Sequence, residues 1–130
     1  MSEMSDYLET ALLNVTLRGT AYTAPANVYV ALFTSDPTDA GTGTQVSGGS
    51  YARVVATFTA PSGTGGSITN NADITFPTAT GSWGLVGWIG IFDALTGGNM
   101  LYYTPLDAAK QVDTGDVFRI VTGNLSVTLS

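Results

Sequence analysis

Between Ser5 and Leu17 the apolar positions Leu8, Ala11, Leu12 and Val15 recur at spacings of three and four, the period of one helical face. Ser5 stands where an N-cap hydroxyl is needed. Asp6 and Glu9 fall in the first turn, where the helix dipole favours negative charge, and Gly19 follows as a terminator. The pattern predicts one amphipathic helix over residues 5–18. Its apolar stripe, Leu8, Leu12 and Val15 with Leu13 and Leu17 beside it, is wider than a single seam. It is expected to cover one end of its own sheet or to dock on a neighbouring subunit.

After Ala24-Pro25 the period changes to two. Val28, Val30 and Leu32 alternate with Tyr29, Ala31 and Phe33, and because both sets are apolar both faces of this strand are expected to be covered. Ser35-Asp36-Pro37 stops it, and residues 36–50 read as a long Asp/Thr/Gly/Ser loop. Residues 51–60 alternate again, with Tyr51, Arg53, Val55, Thr57 and Thr59 on one face and Ala52, Val54, Ala56 and Phe58 on the other. A turn over 61–66 leads to short strands at 67–70 and 73–76. Residues 83–92 read as a strongly apolar strand broken by Gly84, Gly87 and Gly90, and a glycine inside a strand marks a bulge or a close approach of another backbone or ring. Thr96-Gly97-Gly98-Asn99 predicts a hairpin turn into a strand at 100–104. Residues 105–114 then read as an acidic connector, and 117–121 and 124–129 as the last strands. About eight short strands at this spacing predict a mainly β chain. The expected architecture is an antiparallel β-sandwich or jelly-roll-like barrel over 26–129, forming one domain with the N-terminal helix across residues 1–130.

Composition narrows the chemistry. The 130 residues include neither Cys nor His. That removes disulfide scaffolds, zinc, haem and iron-sulfur sites, thiol enzymes and every triad built on an imidazole. Four basic residues against ten acidic ones give a net charge of −6, which opposes a phosphate backbone, so no nucleic-acid partner is expected. Charged residues make up only 11% of the chain, against about 25% in ordinary soluble domains. Hydroxyls and glycine backbone, or a partner, must therefore cover the surface. The acidic stretch Met1–Glu9 does not read as a secretory signal, and no apolar run approaches the ~20 residues of a membrane-spanning helix, so no membrane partner is expected.

The acids are poorly arranged for catalysis. A glycan-cleaving site needs two carboxylates flanking the substrate bond, whereas Glu3 and Glu9 lie on or before the helix, Asp36 and Asp39 in a loop, and Asp107, Asp113 and Asp116 in the connector. Turn capping and solubility are the expected roles. Asp36 and Asp39, with Asp93 or loop carbonyls, are the candidate calcium ligands, set against the simpler reading that Asp36-Pro37 opens a turn. Asp113-Thr114-Gly115-Asp116 is likewise a turn first. The glycine runs 41–49 and 63–66 lack the strand-loop-helix setting and lysine of a phosphate-cradling loop. No cofactor is expected.

The aromatic residues should mostly fill the core, but Trp83 adjoins a loop and Tyr102 and Tyr103 must point to opposite faces of one strand. Trp83 and Tyr103 are thus open to core, interface or carbohydrate roles. Arg53 and Arg119 each fall within a strand. Each is either an edge charge that discourages stray pairing or half of an Arg-carboxylate pair at a subunit contact, with Asp73 or Asp93 as partner. The candidate interface residues are therefore Leu8, Leu12, Val15, Tyr29, Phe33, Arg53, Trp83, Tyr103 and Arg119.

Several blocks in order resemble a family of small tailed-phage virion proteins, commonly labelled phage tail fibre proteins. These are the helix opening at Asp6-Tyr7-Leu8-Glu9, then residues 28–34, Asp36-Pro37-Thr38-Asp39, residues 48–53 and residues 86–93. The resemblance covers about Asp6 to Leu129 and brings no catalytic motif. It implies a non-enzymatic structural component on the exterior of the phage particle, assembled in the host cytoplasm: a capsid-decoration or cement protein, or a tail or fibre subunit. The expected partners are further copies of the chain, in a trimer or another cyclic homo-oligomer, and other virion proteins, either major capsid or tail proteins. The alternative is a host-receptor or glycan-binding module that touches host surface glycan through Trp83 and loop hydroxyls.

Overall fold

The computed structural model describes residues 3–61 and 66–129, so the expected turn at 61–66 lies mostly outside the described residues. Helix α1 spans Asp6–Leu17 with Ser5 as its N-cap, the Ser5 hydroxyl accepting the Leu8 N–H at 3.2 Å. At its far end the Thr20 N–H closes on the Asn14 carbonyl at 3.0 Å, a six-residue closure that needs the left-handed φ of +66° at Gly19. Among the described residues no helix is long and apolar enough to cross a membrane.

The main layer is a five-stranded antiparallel sheet in the order β1-β7-β6-β2-β3, formed by β1 (Glu3–Met4), β2 (Val28–Phe33), β3 (Val54–Ala56), β6 (Gly84–Phe92) and β7 (Met100–Val112). Facing it are two short ladders, β4 (Ser67–Thr69) with β9 (Ser126–Thr128) and β5 (Ile74–Thr75) with β8 (Arg119–Ile120). Of the two expected architectures this is the sandwich-like one, not a closed barrel. Its core lies between the layers, where Val30, Leu32, Ile89 and Ile91 of the large sheet meet Ile74, Phe76, Phe118, Ile120 and Val127.

As the double alternation predicts, β2 is covered on both faces: Val30 and Leu32 enter the inter-layer core, and Ala31 and Phe33 a second cluster on the outer face. The outer cluster adds Phe92, Met100 and Tyr103, with Trp88 packed against it. Gly90 lies in β6 at its centre. A Cβ there would stand 3.0 Å from the Phe33 ring, so even a methyl crowds the rings.

Two expectations need correction, and one short strand goes unannounced in the sequence. Residues 105–112 are not a connector but the second half of β7, which bends through a wide bulge: Val86 pairs with Lys110 and Trp88 with Pro105, so Gly87 alone faces residues 106–109. Residues two apart in a strand normally share a face; across this bulge Val86 enters the core while Trp88 packs on the outer cluster. Pro105 is tolerated because a strand leaving regular pairing does not need its N–H.

Residues 51–60 do not form one strand either. Beyond Ala56 the chain leaves the large sheet, and Thr57 and Thr59 exchange backbone hydrogen bonds with Asn71 and Thr69 at 3.0 and 2.8 Å. Finally, the N-terminal residues Glu3 and Met4 pair with Tyr103 and Tyr102 as an edge strand that no periodicity announces, being too short to show one.

Candidate functional site

The outer face of the large sheet gathers most of the residues singled out for interface roles. Leu8 is buried where α1 lies against β7, Leu12 is half-buried and Val15 is exposed near the end of the helix. Phe33 and Tyr103 are buried in the outer cluster, and Tyr29 is half-buried on the same side of β2. Leu13 and Leu17, one turn apart, are the conspicuous exposed pair, at 59% and 79%.

The start of α1 is pinned from several directions. The Ser5 N–H donates to the Leu101 carbonyl at 2.9 Å and its hydroxyl donates to the Met100 carbonyl, while the Asp6 N–H donates to the Asp39 carbonyl at 2.9 Å. The Tyr103 hydroxyl donates to Asp39, tying the long loop to β7. Burial first, then this bond and the neighbouring acids, push the Tyr103 hydroxyl far above the ordinary tyrosine range.

Arg53 leads into the edge strand β3 and is held within the chain itself. Its guanidinium carbon lies 3.8 Å from the Phe92 ring centroid. Its nitrogens donate to Gln45 at 2.9 Å and to the Ala94 and Gly97 carbonyls at 2.9 and 2.7 Å. It therefore clamps the β6–β7 hairpin through neutral acceptors, and Gln45 also accepts the Tyr51 hydroxyl.

Two residues lie elsewhere. Trp83 is only 4% exposed, its indole N–H donating to the Gly49 carbonyl at 2.9 Å, which places it in the core and out of reach of a sugar. Arg119 is exposed on β8 opposite Thr75. Asp73 takes two bonds from Thr122, at 2.8 and 2.9 Å, and these hold its carboxyl below the usual range, with a smaller contribution from Arg119.

The proposed calcium ligands are dispersed into local turns: Asp36 accepts the Thr38 N–H at 2.8 Å and Asp93 accepts the Asn99 N–H at 2.7 Å. The acids that do converge are Asp6, Glu9 and Asp39, all exposed, with carboxylate oxygens within 4.8 Å of one another. Asp113–Asp116 is the expected turn, closed by Asp116 N–H to the Asp113 carbonyl at 2.9 Å.

Asn70, which no motif in the sequence marks, is a fully buried and hydrogen-bonded polar residue of the second layer. At 1% exposure its amide donates to the Ala72 and Val121 carbonyls at 2.9 and 3.1 Å and accepts the Leu125 N–H at 2.9 Å. An Asn in a Ser/Thr/Asn-rich stretch carries no local signal of such a role, because its Val121 and Leu125 partners lie 51 and 55 residues away.

The arrangement offers packed aromatic and hydroxyl surfaces. Comparison with curated proteins yields no match. The family model described as Podophage GP4 fiber I protein gp80 matches residues 3–128, and the chain belongs to that family of phage fibre proteins.

Proposed function

We propose that this chain is a non-enzymatic structural subunit on the exterior of a phage particle. It folds as one domain and works by adhesion to further copies of itself and to other virion proteins. Membership of a fibre family favours a fibre position over a capsid-cementing one. The observation that carries the reading is the second apolar face of α1, where Leu13 and Leu17 project away from the sheet that buries Leu8. Burying a leucine side chain contributes about 1.5–3 kcal/mol, so a partner over this pair gains a substantial fraction of a stable contact. A closed ring, a trimer among the simplest, satisfies every copy without leaving an open end.

The test is light scattering on the eluting protein. The wild type is expected at a multiple of the single-chain mass, and Leu13→Glu combined with Leu17→Glu is expected to return it to that of one chain with unchanged circular dichroism. A wild type that elutes as one chain at every concentration contradicts the proposal.

A further inference from the structure

Helix α1 carries three stripes with different surroundings. Leu8 is buried toward the sheet, Leu13 and Leu17 are exposed, and Tyr7, Thr10, Ala11 and Asn14, recurring at three and four, form a stripe between those two. The segment after the helix folds back beside this stripe. It is held there at Asn14, whose carbonyl accepts the Arg18 N–H at 3.1 Å and the Thr20 N–H at 3.0 Å. Between the helix and the returning segment lies a groove of about 530 Å³, lined by Tyr7, Thr10 and Asn14 on one side and Thr20 and Tyr22 on the other, with Ala11 and Ala21 too small to fill it.

The lining combines aromatic surface with hydrogen-bonding groups. Tyr7 is 41% exposed and Tyr22 half-buried, so each offers part of a ring as well as a hydroxyl. The hydroxyls of Tyr7, Thr10, Thr20 and Tyr22 have no hydrogen-bond partner among the described residues. Asn14 accepts the Arg18 guanidinium at 3.2 Å through its amide oxygen, which leaves its amide nitrogen as a donor. Burial first, then Tyr7, Asp93 and Tyr102, raise the Tyr22 hydroxyl above the ordinary tyrosine range, so it keeps its proton and serves as a donor. Asp6 is the one charged side chain in the lining.

This chemistry serves neither a purely apolar ligand nor an anion. The first would cover the hydroxyls without replacing their water, and the second would meet Asp6 with no cation in the lining to offset it. A neutral sugar suits both kinds of group, because its ring hydrogens form apolar faces that lie against aromatic rings while its hydroxyls pair with amides, hydroxyls and carboxylates.

We propose that the groove between α1 and residues 20–22 binds a neutral saccharide, a sugar ring lying against Tyr7 and Tyr22 and its hydroxyls pairing with Thr10, Asn14 and Thr20. Aromatic surface with a few placed polar groups is the make-up of small-ligand sites. Backbone bonds already tie the two walls together at Asn14, so little ordering is left to be done on binding. The site goes beyond the adhesion proposed above and does not depend on it, since Leu13 and Leu17 lie outside the groove.

The test is a titration of the isotope-labelled full chain, followed by amide chemical shifts. The probes are trisaccharides of glucose, galactose, mannose and N-acetylglucosamine, with trigalacturonate as the acidic control. At least one neutral probe is expected to move the amides of Thr10, Asn14, Thr20 and Tyr22 and to saturate at about millimolar concentration, and the acidic one is expected to leave them in place. Tyr7→Ala and Tyr22→Ala, folded by circular dichroism, are each expected to bind at least about tenfold more weakly, and Tyr22→Phe, which keeps the ring, is expected to lose less. Tyr7 is exposed, so its Ala variant carries the test even where the Tyr22 variant does not fold.

Groove amides that no neutral probe moves, shifts centred elsewhere, unchanged affinity in the folded alanine variants, or tighter binding of trigalacturonate each overturn the sugar site. It is also overturned if these amides respond only to protein concentration, which assigns the groove to a second copy. The leucine contact is decided separately, by light scattering on Leu13→Glu with Leu17→Glu, so the two readings fail independently.

Discussion

Arg53 and Phe92 are joined face to cation, the guanidinium carbon 3.8 Å from the ring centroid, and the same side chain reaches past the ring to two carbonyls of the β6–β7 hairpin. One residue thereby links β3's entry, the outer aromatic cluster and the hairpin that precedes β7. Lys carries its charge as a point and cannot fork between carbonyls while lying flat on a ring. Arg53→Lys is therefore expected to cost about 1.5–3 kcal/mol, the loss of one hydrogen bond to a charged group. Urea unfolding measures it; a midpoint unchanged from wild type contradicts the clamp.

Asn70 holds the second layer together through its amide. Asn70→Ala leaves the Leu125 N–H and the Val121 carbonyl without their side-chain partner inside the protein. The Leu125 bond is buried and the Val121 bond only partly so; one buried unsatisfied group costs about 1–3 kcal/mol, and a loss of that size is expected. Hydrogen exchange should show the Leu125 amide deprotected before those of β2. Retained protection there removes Asn70 from this role.

Gly90 sits where space is short. Even Ala places a methyl 3.0 Å from Phe33, 3.1 Å from Phe92 and 3.3 Å from the Met100 sulfur. Overpacking of this kind costs about 1–3 kcal/mol, and Gly90→Val should cost more than Gly90→Ala. Thermal unfolding orders the two; equal melting temperatures for both variants and wild type contradict the close packing.

Tyr103 gives the fold an alkaline limit. Its hydroxyl holds its proton more tightly in the folded chain than in the unfolded one, owing to burial and then to Asp39. The stabilisation is complete below the ordinary tyrosine pKa of about 10 and is lost as pH rises above it, because only the unfolded chain then releases the proton. Tyr103→Phe is expected to flatten the decline between about pH 10 and pH 11.5 relative to wild type. Parallel slopes for the two proteins contradict it.

The helix and the central strands were legible in the sequence because each is written in local code. Ser5, Asp6 and Gly19 mark the ends of α1, and the doubly apolar Val28–Phe33 announces a strand covered on both sides. Gly87 and Gly90 were read as bulge or close approach, and the structure uses one for each. What escaped was set by distant partners. Pro105 looks like a stop, yet the β7 strand runs on because Gly84–Val86 supplies a ladder for residues 110–112. The segment 51–60 alternates throughout but changes sheets at Thr57, a choice made by Asn71. Trp83 beside a loop leaves core and interface roles open, and only the approach of Gly49 to its indole places it in the core. The convergence of Asp39 with Asp6 and Glu9 likewise depends on contacts no spacing encodes.

That the chain serves as an adhesive part of the virion is tested most directly by electron microscopy of purified phage particles in which it carries a gold-binding tag. The expected result is label repeated at the fibres, with several copies per fibre. Particles that are complete and infectious without any label, with the tagged chain left behind as a single-chain species in the lysate, would contradict it.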